Sequence, residues 1–179
     1  MMDEETQSLW DPMTGEAFRG QMAGKKMEIW PILYTTVKEE LSEFPNTELF
    51  YSDHRNPALW IFRRIFKPLL GLDSRGFIPP YFFRTMSAPI DPRLPKLTQG
   101  LGVIEGNKAK YYPSDQIRPG EEIRENWGKK TLVIYRKEKS ASPVARWENN
   151  DQIPMQVLSR WYGFAFTYPH CDIYKNPNF

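Results

Sequence analysis

The sequence predicts a mainly β fold of the β-rich α+β class, in which short strands form a sheet or a barrel-like core beside two helix-proline-strand units. The 179 residues include 16 prolines and 11 glycines, which divide the chain into short elements. Apolar residues make up 40% of the chain and aromatic residues 15%, enough for a sizeable core. A similar pattern of residue types also occurs near both ends of the chain.

This pattern occupies residues 44–50 and residues 168–174, which agree in residue class at each position. Each occurrence follows three apolar residues at the spacing of one helix face, and its proline ends the helix before a short strand. These apolar residues are Val37, Leu41 and Phe44 in the first occurrence and Trp161, Ala165 and Tyr168 in the second. We therefore expect one domain over residues 1–179, with pseudo-repeated halves at about 1–52 and 100–174 joined by an irregular proline-rich segment at 53–99.

The first elements of the chain are predicted to be strands. Residues 7–10 have strand composition and end at the turn signal of residues 11–15. Residues 25–32 predict another strand, with Met27 and Ile29 facing inward.

The first helix is predicted at residues 37–44. Thr35 or Thr36 is a suitable N-cap, and Glu39 can complete a capping box. A strand at residues 47–52 should follow the proline that ends this helix.

The second half begins with a predicted β-hairpin. Residues 101–105 and 108–112 flank Gly106 and Asn107, which suit a tight turn. Residues 113–117 predict a short capped helical turn.

A second pair of strands should follow. Residues 131–136 predict a buried strand rich in β-branched residues, and residues 144–147 are expected to pair with it. The chain then ends with the helix and the strand of the second helix-proline-strand unit.

Residues 58–84 combine aromatic and basic side chains and form what we call the aromatic-basic segment. Two interpretations of it remain open. Its arginine and lysine stems could cover the protein's own core, or the segment could contact a protein partner or a second copy of the chain. The candidate contact residues are Trp60, Phe62, Arg63, Arg64, Lys67, Tyr81 and Phe82.

Composition argues against several classes of function. The formal net charge of +2 does not by itself indicate a nucleic-acid or membrane partner, and no nucleic acid is expected. No apolar run approaches the roughly 20 residues of a transmembrane helix. The single cysteine cannot form a disulfide within the chain.

His170 and Cys171 are the residues most suited to chemistry, and their position argues against it. Neighbours in a strand point to opposite faces, so the two side chains should not share a metal or act as a base and a nucleophile. His54 is the only other histidine. We expect no metal site, no cofactor and no catalytic residue. The sequence therefore favours a protein that is not an enzyme over one that is.

Several short motifs occur in a recognisable order along the chain, namely Leu9-Trp10, Thr14-Gly15-Glu16-Ala17, Phe44-Pro45, Asp91-Pro92-Arg93-Leu94-Pro95, Ala109-Lys110-Tyr111-Tyr112-Pro113 and Tyr168-Pro169. In these motifs the chain resembles the prokaryotic domain-of-unknown-function 3179 family. Because Thr14 and Glu16 stand in a matching motif, they are ligand candidates. The alternative role of Glu16 is to bond backbone amides of the preceding turn.

The resemblance implies no assigned biochemistry, because the family's role is unknown. Full-length relatives usually carry an export signal or lipid anchor and a Cys-Pro-Leu-Cys type motif, with selenocysteine in some members, and this chain starts after the corresponding point. One hypothesis is that a selenocysteine codon was read as a stop, which would make this a truncated selenoprotein. The other is a short form that retains the scaffold.

The sequence therefore predicts a non-catalytic binding or assembly module that forms a homo-oligomer or binds a protein partner through residues 58–84. The alternative is a redox-associated protein whose reactive cysteine or selenocysteine lies in an N-terminal portion outside this chain. The compartment stays open, although the resemblance implies export of full-length relatives.

Overall fold

The computed structural model describes residues 1–28, 34–50, 56–61, 64–65, 80–137, 142–149 and 153–177. In these residues the strands form sheets of two, four and three strands. The predicted β-rich class is confirmed. None of the three sheets closes on itself within the described ranges, so the core is formed by open sheets and not by a barrel.

The N-terminal sheet is a small hairpin of β1 (Leu9–Trp10) and β2 (Ala17–Arg19). The Asp11 carboxylate closes its turn by accepting the Met13 N–H at 2.7 Å. The strand predicted at residues 25–32 is reduced to one isolated bridge between Lys26 and Glu16, and residues 29–33 lie outside the described part. The inward orientation predicted for Met27 is wrong, because its side chain is 41% exposed.

The first helix, α1 (Val37–Glu43), agrees with the prediction to within one residue. The Thr36 hydroxyl accepts the Glu39 N–H at 3.2 Å, which is the predicted N-cap bond. The strand predicted after it is wrong for residues 47–50, which have no regular structure, while 51–52 lie outside the described part. Strand propensity failed here because these residues pair with no described strand, and Phe50 is 97% exposed.

The described part of the aromatic-basic segment includes two short helical elements. Helix α2 spans Pro57–Ile61, and a 3-10 helix spans Pro80–Thr85. The candidate residues Phe62, Arg63 and Lys67 lie outside the described residues.

The larger sheets come from the second half of the chain. Their strands are β3 (Gln99–Glu105), β4 (Lys108–Pro113), β5 (Glu122–Trp127), β6 (Lys130–Tyr135), β7 (Val144–Trp147), β8 (Met155–Arg160) and β9 (Asp172–Ile173). One sheet has the order β8-β3-β4-β9 and the other has the order β5-β6-β7. All neighbours are antiparallel except β4 and β9.

Most of the predicted elements in this half are confirmed. Strands β3 and β4 form the expected hairpin, and Gly106 in its turn has a φ of 58°, a conformation that favours glycine. Strands β6 and β7 pair as predicted. The helical turn predicted after β4 is a 3-10 turn at Ser114–Gln116, although no side chain caps it. Strands β5 and β8 were not predicted.

The last helix, α3 (Trp161–Thr167), lies against the four-stranded sheet. Glycine is required at position 102 in β3, because a Cβ atom there would lie 1.9 Å from the Phe164 ring. The cluster beneath this helix is fully or nearly fully buried and consists of Tyr111, Trp161, Phe164, Ala165 and Cys171. A second buried cluster joins the two larger sheets.

Candidate functional site

In the two segments that carry the shared sequence pattern, the helix and the turn after it, residues 37–47 and 161–171, have matching backbone geometry. Phe44 and Tyr168 end their helices with φ and ψ of −128° and 80° and of −124° and 72°. Their N–H groups donate to the carbonyls four residues earlier at 2.7 and 2.8 Å. The N–H groups of Thr47 and Cys171 then donate to the Phe44 and Tyr168 carbonyls, both at 3.0 Å.

The surroundings of the two segments differ. In the second segment Trp161 and Ala165 are buried against the sheet, with exposed fractions of 0% and 3%. In the first segment Val37 and Phe44 are both 58% exposed. The same helix face is therefore part of the core in one place and open to solvent in the other.

Cys171 and His170 lie on opposite sides of the turn after α3. Cys171 is a buried free thiol, while His170 is exposed. Burial raises the pKa of the Cys171 thiol, although the nearby Arg93 guanidinium acts in the opposite direction. A raised pKa keeps the sulfur protonated and makes it a poor nucleophile.

Arg93 holds this turn in place from a distant part of the sequence. Its guanidinium donates to the Cys171 carbonyl at 2.8 Å and to the Pro169 carbonyl at 3.1 Å. It pairs with the Asp91 carboxylate at 2.7 Å and lies 5.3 Å from the centre of the Trp161 ring. The hydrogen bond from Arg93 holds the pKa of Asp91 below its usual range. These contacts give the Asp91-Pro92-Arg93 motif a structural role.

Thr14 and Glu16 belong to the turn of the N-terminal hairpin. The Thr14 hydroxyl accepts the Glu16 N–H at 3.3 Å, and the Glu16 side chain is exposed. The backbone amides of this turn are bonded by Asp11, which accepts from Met13 and Thr14, and not by Glu16 as the alternative role proposed.

The described part of the aromatic-basic segment is partly attached to the protein and partly exposed. Trp60 is 63% exposed, with the Arg64 guanidinium 6.0 Å from its ring centre. Tyr81 is 69% exposed. The rings of Phe82 and Phe83, in contrast, contact Tyr162 of α3 edge to face at 5.8 and 5.6 Å. The segment therefore contacts α3 through Phe82 and Phe83 and leaves the rings of Trp60 and Tyr81 exposed to solvent.

A half-buried acidic group that sequence patterns did not reveal, Glu125 of β5, faces β4. The Glu125 carboxylate accepts from the Tyr112 hydroxyl at 2.5 Å and from the Lys110 ammonium at 2.6 Å. Burial alone would raise the pKa of Glu125, but these two hydrogen bonds outweigh it and hold the pKa below its usual value. The sequence contains little signal for this group, because the polar residues 124–126 interrupt the apolar pattern of β5. The group is fully bonded, which indicates a structural role.

The motifs at Thr14 and Asp91 thus build turns within a fold that spans both halves of the chain. A family model described as a protein of unknown function, DUF3179, matches residues 1–168. The chain belongs to this family. The predicted resemblance to DUF3179 is confirmed, and membership supplies no biochemical role. Neither the curated proteins nor the solved structures include a significant match.

Two further observations concern the described residues only. No helix among them has the length and apolar character to cross a membrane. No three histidine, cysteine, aspartate or glutamate side chains in these ranges come together as metal ligands would.

Proposed function

We propose that this DUF3179 protein is a non-catalytic binding or assembly module that associates with a second copy of itself. The contact surface would combine α1 with the aromatic-basic segment. The observation that carries the proposal is the distribution of exposed apolar side chains.

Among the described residues, large apolar side chains are exposed almost only in residues 1–82. Among the described residues, all of those exposed lie at or before Phe82, with Phe166 as the one exception. Conversely, the buried apolar core lies between Leu101 and Tyr174 except for Ala17. Exposed apolar surface of this extent is typical of an interaction site.

Charge supports a second copy as the partner. Helix α1 carries Glu39, Glu40 and Glu43 against Lys38, and Lys137 pairs with two of these carboxylates, so the surface keeps a net negative charge. Residues 57–67 contain two arginines and one lysine and no acidic residue. The acidic helix of one copy and the basic segment of another are therefore complementary, which favours association in a fixed orientation.

The state of the cysteine supports a role without catalysis. The Cys171 thiol is buried and its pKa is raised by that burial. A redox role would depend on a cysteine or selenocysteine outside these 179 residues, and it stays the alternative prediction.

Sedimentation velocity over a range of protein concentrations tests the proposal. We expect a defined oligomer that dissociates on dilution and that weakens as salt is added, because salt screens the charge pairs. Replacing Trp60 and Tyr81 by serine should weaken association at least about tenfold, since exposed aromatic residues dominate interface energies.

Phe166→Ser is the matched control, because Phe166 is an exposed aromatic residue, 44% accessible, outside the proposed surface. It should leave association unchanged. A protein that is monomeric at all concentrations, or a control variant that dissociates as readily as the double variant, would contradict the proposal.

A further inference from the structure

A cleft of about 490 Å³ opens where the two larger sheets meet. Its volume lies in the range of small-ligand sites. Strand β8 ends there at Arg160, opposite Gln99 of β3. The residues that line it are Pro95, Leu97, Thr98, Gln99, Ser114, Asp115, Arg136 and Arg160.

Two half-buried side chains of this cleft carry polar atoms without hydrogen-bond partners. The Nη1 atom of Arg160 and the hydroxyl oxygen of Ser114 have no accessible surface and no hydrogen-bond partner among the described residues. Leaving a charged donor unbonded in this way is unfavourable. The Arg160 guanidinium therefore needs an explanation, and pairing with a charged ligand is one.

Arg136 gives the cleft a fixed second positive charge. Its Nη1 atom donates to the Ser114 and Ile117 carbonyls, both at 3.0 Å. These bonds hold the guanidinium beside the Ser114 carbonyl before any ligand arrives. A guanidinium held in this way favours an oxyanion with planar, fork-shaped oxygen geometry.

The charge and shape of the residues that line the cleft restrict the class of ligand that it can bind. Two guanidinium groups and the Asp115 carboxylate leave one net positive charge, which matches a monoanion better than a phosphate dianion. Asp115 can accept a hydrogen bond from a hydroxyl or amino group. Pro95 and Leu97 supply an apolar wall for a short carbon chain.

We propose that this cleft binds a small monocarboxylate that carries a hydroxyl or amino group. The carboxylate pairs with the Arg160 guanidinium, and the hydroxyl or amino group donates to Asp115. This site is separate from the surface proposed for self-association, so the two proposals stand or fall independently.

Titration of the full chain with L-lactate, propionate and inorganic phosphate tests the site, with the backbone amide signals of the lining residues Thr98, Gln99 and Asp115 followed by nuclear magnetic resonance. L-Lactate should bind more tightly than propionate, which lacks the hydroxyl, and more tightly than phosphate. Arg160→Gln should weaken lactate binding about tenfold or more, the effect of losing a charge-assisted hydrogen bond. Asp115→Ala should remove the preference for lactate over propionate.

Arg124→Gln is the matched control, because Arg124 is 64% exposed on β5 and lies outside the cleft lining. It should bind lactate as the wild type does. If Arg160→Gln does not fold, Asp115→Ala decides the test through the loss of the preference for lactate. The proposal fails if lactate causes no shift up to about 50 mM, if phosphate binds more tightly than lactate, or if a folded cleft variant binds lactate with unchanged affinity.

Discussion

Helices α1 and α3 end in proline turns with the same hydrogen bonds, yet their contacts with the rest of the chain differ in kind. Helix α3 is held by aromatic packing, with the Tyr111 ring centre 5.1 Å from that of Trp161 and 5.2 Å from that of Phe164. Helix α1 is held by Lys137, whose ammonium lies 3.5 Å from the Glu39 carboxylate and also pairs with Glu43.

This difference shows that the local sequence determines the helix and its turn, but not whether they are buried. The apolar spacing and the proline are local features that both segments share, and they accompany the same helix and turn in both places, although only α1 has a side-chain N-cap. Burial depends on what the rest of the chain brings to the helix. Position 102 can accept the Phe164 ring only because it is glycine, whereas α1 meets exposed ion pairs, which contribute little to stability.

The largest expected contrast comes from truncating equivalent positions of the two helices. Trp161→Ala removes a completely buried side chain and should lower the free energy of unfolding by about 3–5 kcal/mol. Val37→Ala, at the matching position of α1, should change it by no more than about 0.5 kcal/mol, because Val37 is 58% exposed. Urea denaturation measures both values. Equal losses would mean that α1 is part of the core after all.

Thiol reactivity compares the burial of equivalent positions in the turns after α1 and α3. Cys171 is 3% exposed and burial raises its pKa, so the native protein should react slowly with a thiol reagent and rapidly once denatured. In a Cys171→Ser background, Thr47→Cys places the thiol at the matching, less buried position. We expect it to react at least about tenfold faster in the native state. Rates of similar size at the two positions would refute the difference in surroundings.

A smaller effect should appear in the pH dependence of stability. The hydrogen bond from Arg93 lowers the pKa of Asp91 in the folded state, so the stabilisation is complete above the unfolded-state pKa of about 3.9 and is lost as pH falls through the folded-state value. Asp91→Asn should therefore lower the free energy of unfolding by about 1 kcal/mol at neutral pH, since Arg93 is partly exposed.

The same substitution should have almost no effect at a pH below the folded-state pKa of Asp91, where the carboxyl group is protonated in both states. Denaturation at the two pH values measures this difference. A loss of equal size at both would show that the carboxylate charge is not what stabilises the turn after α3.

The sequence predicted those elements whose signals are local. Thr36 and Glu39 marked the start of α1, and Gly106 marked the hairpin turn. Strand β5 was missed because its polar residues obscure the strand pattern, although Glu125 is bonded by β4 once the two sheets meet.

The candidate sites were harder to predict because their parts are far apart in the chain. The bond from Arg93 to Cys171 joins residues 78 positions apart. Arg160 and Ser114 likewise meet only when β8 and the 3-10 turn border one cleft. Patterns in a single sequence contain no signal for contacts between residues so far apart in the chain. They also do not indicate that the apolar face of α1 is exposed.

Hydrogen exchange of the α1 and α3 amides, followed at several protein concentrations, tests the central claim most directly. In dilute solution the amides of α3 should exchange slowly and those of α1 rapidly, because only α3 is buried within the chain. Raising the protein concentration should then slow exchange in α1 alone, as a second copy covers its apolar face. Strong protection of both helices at every concentration would contradict the account.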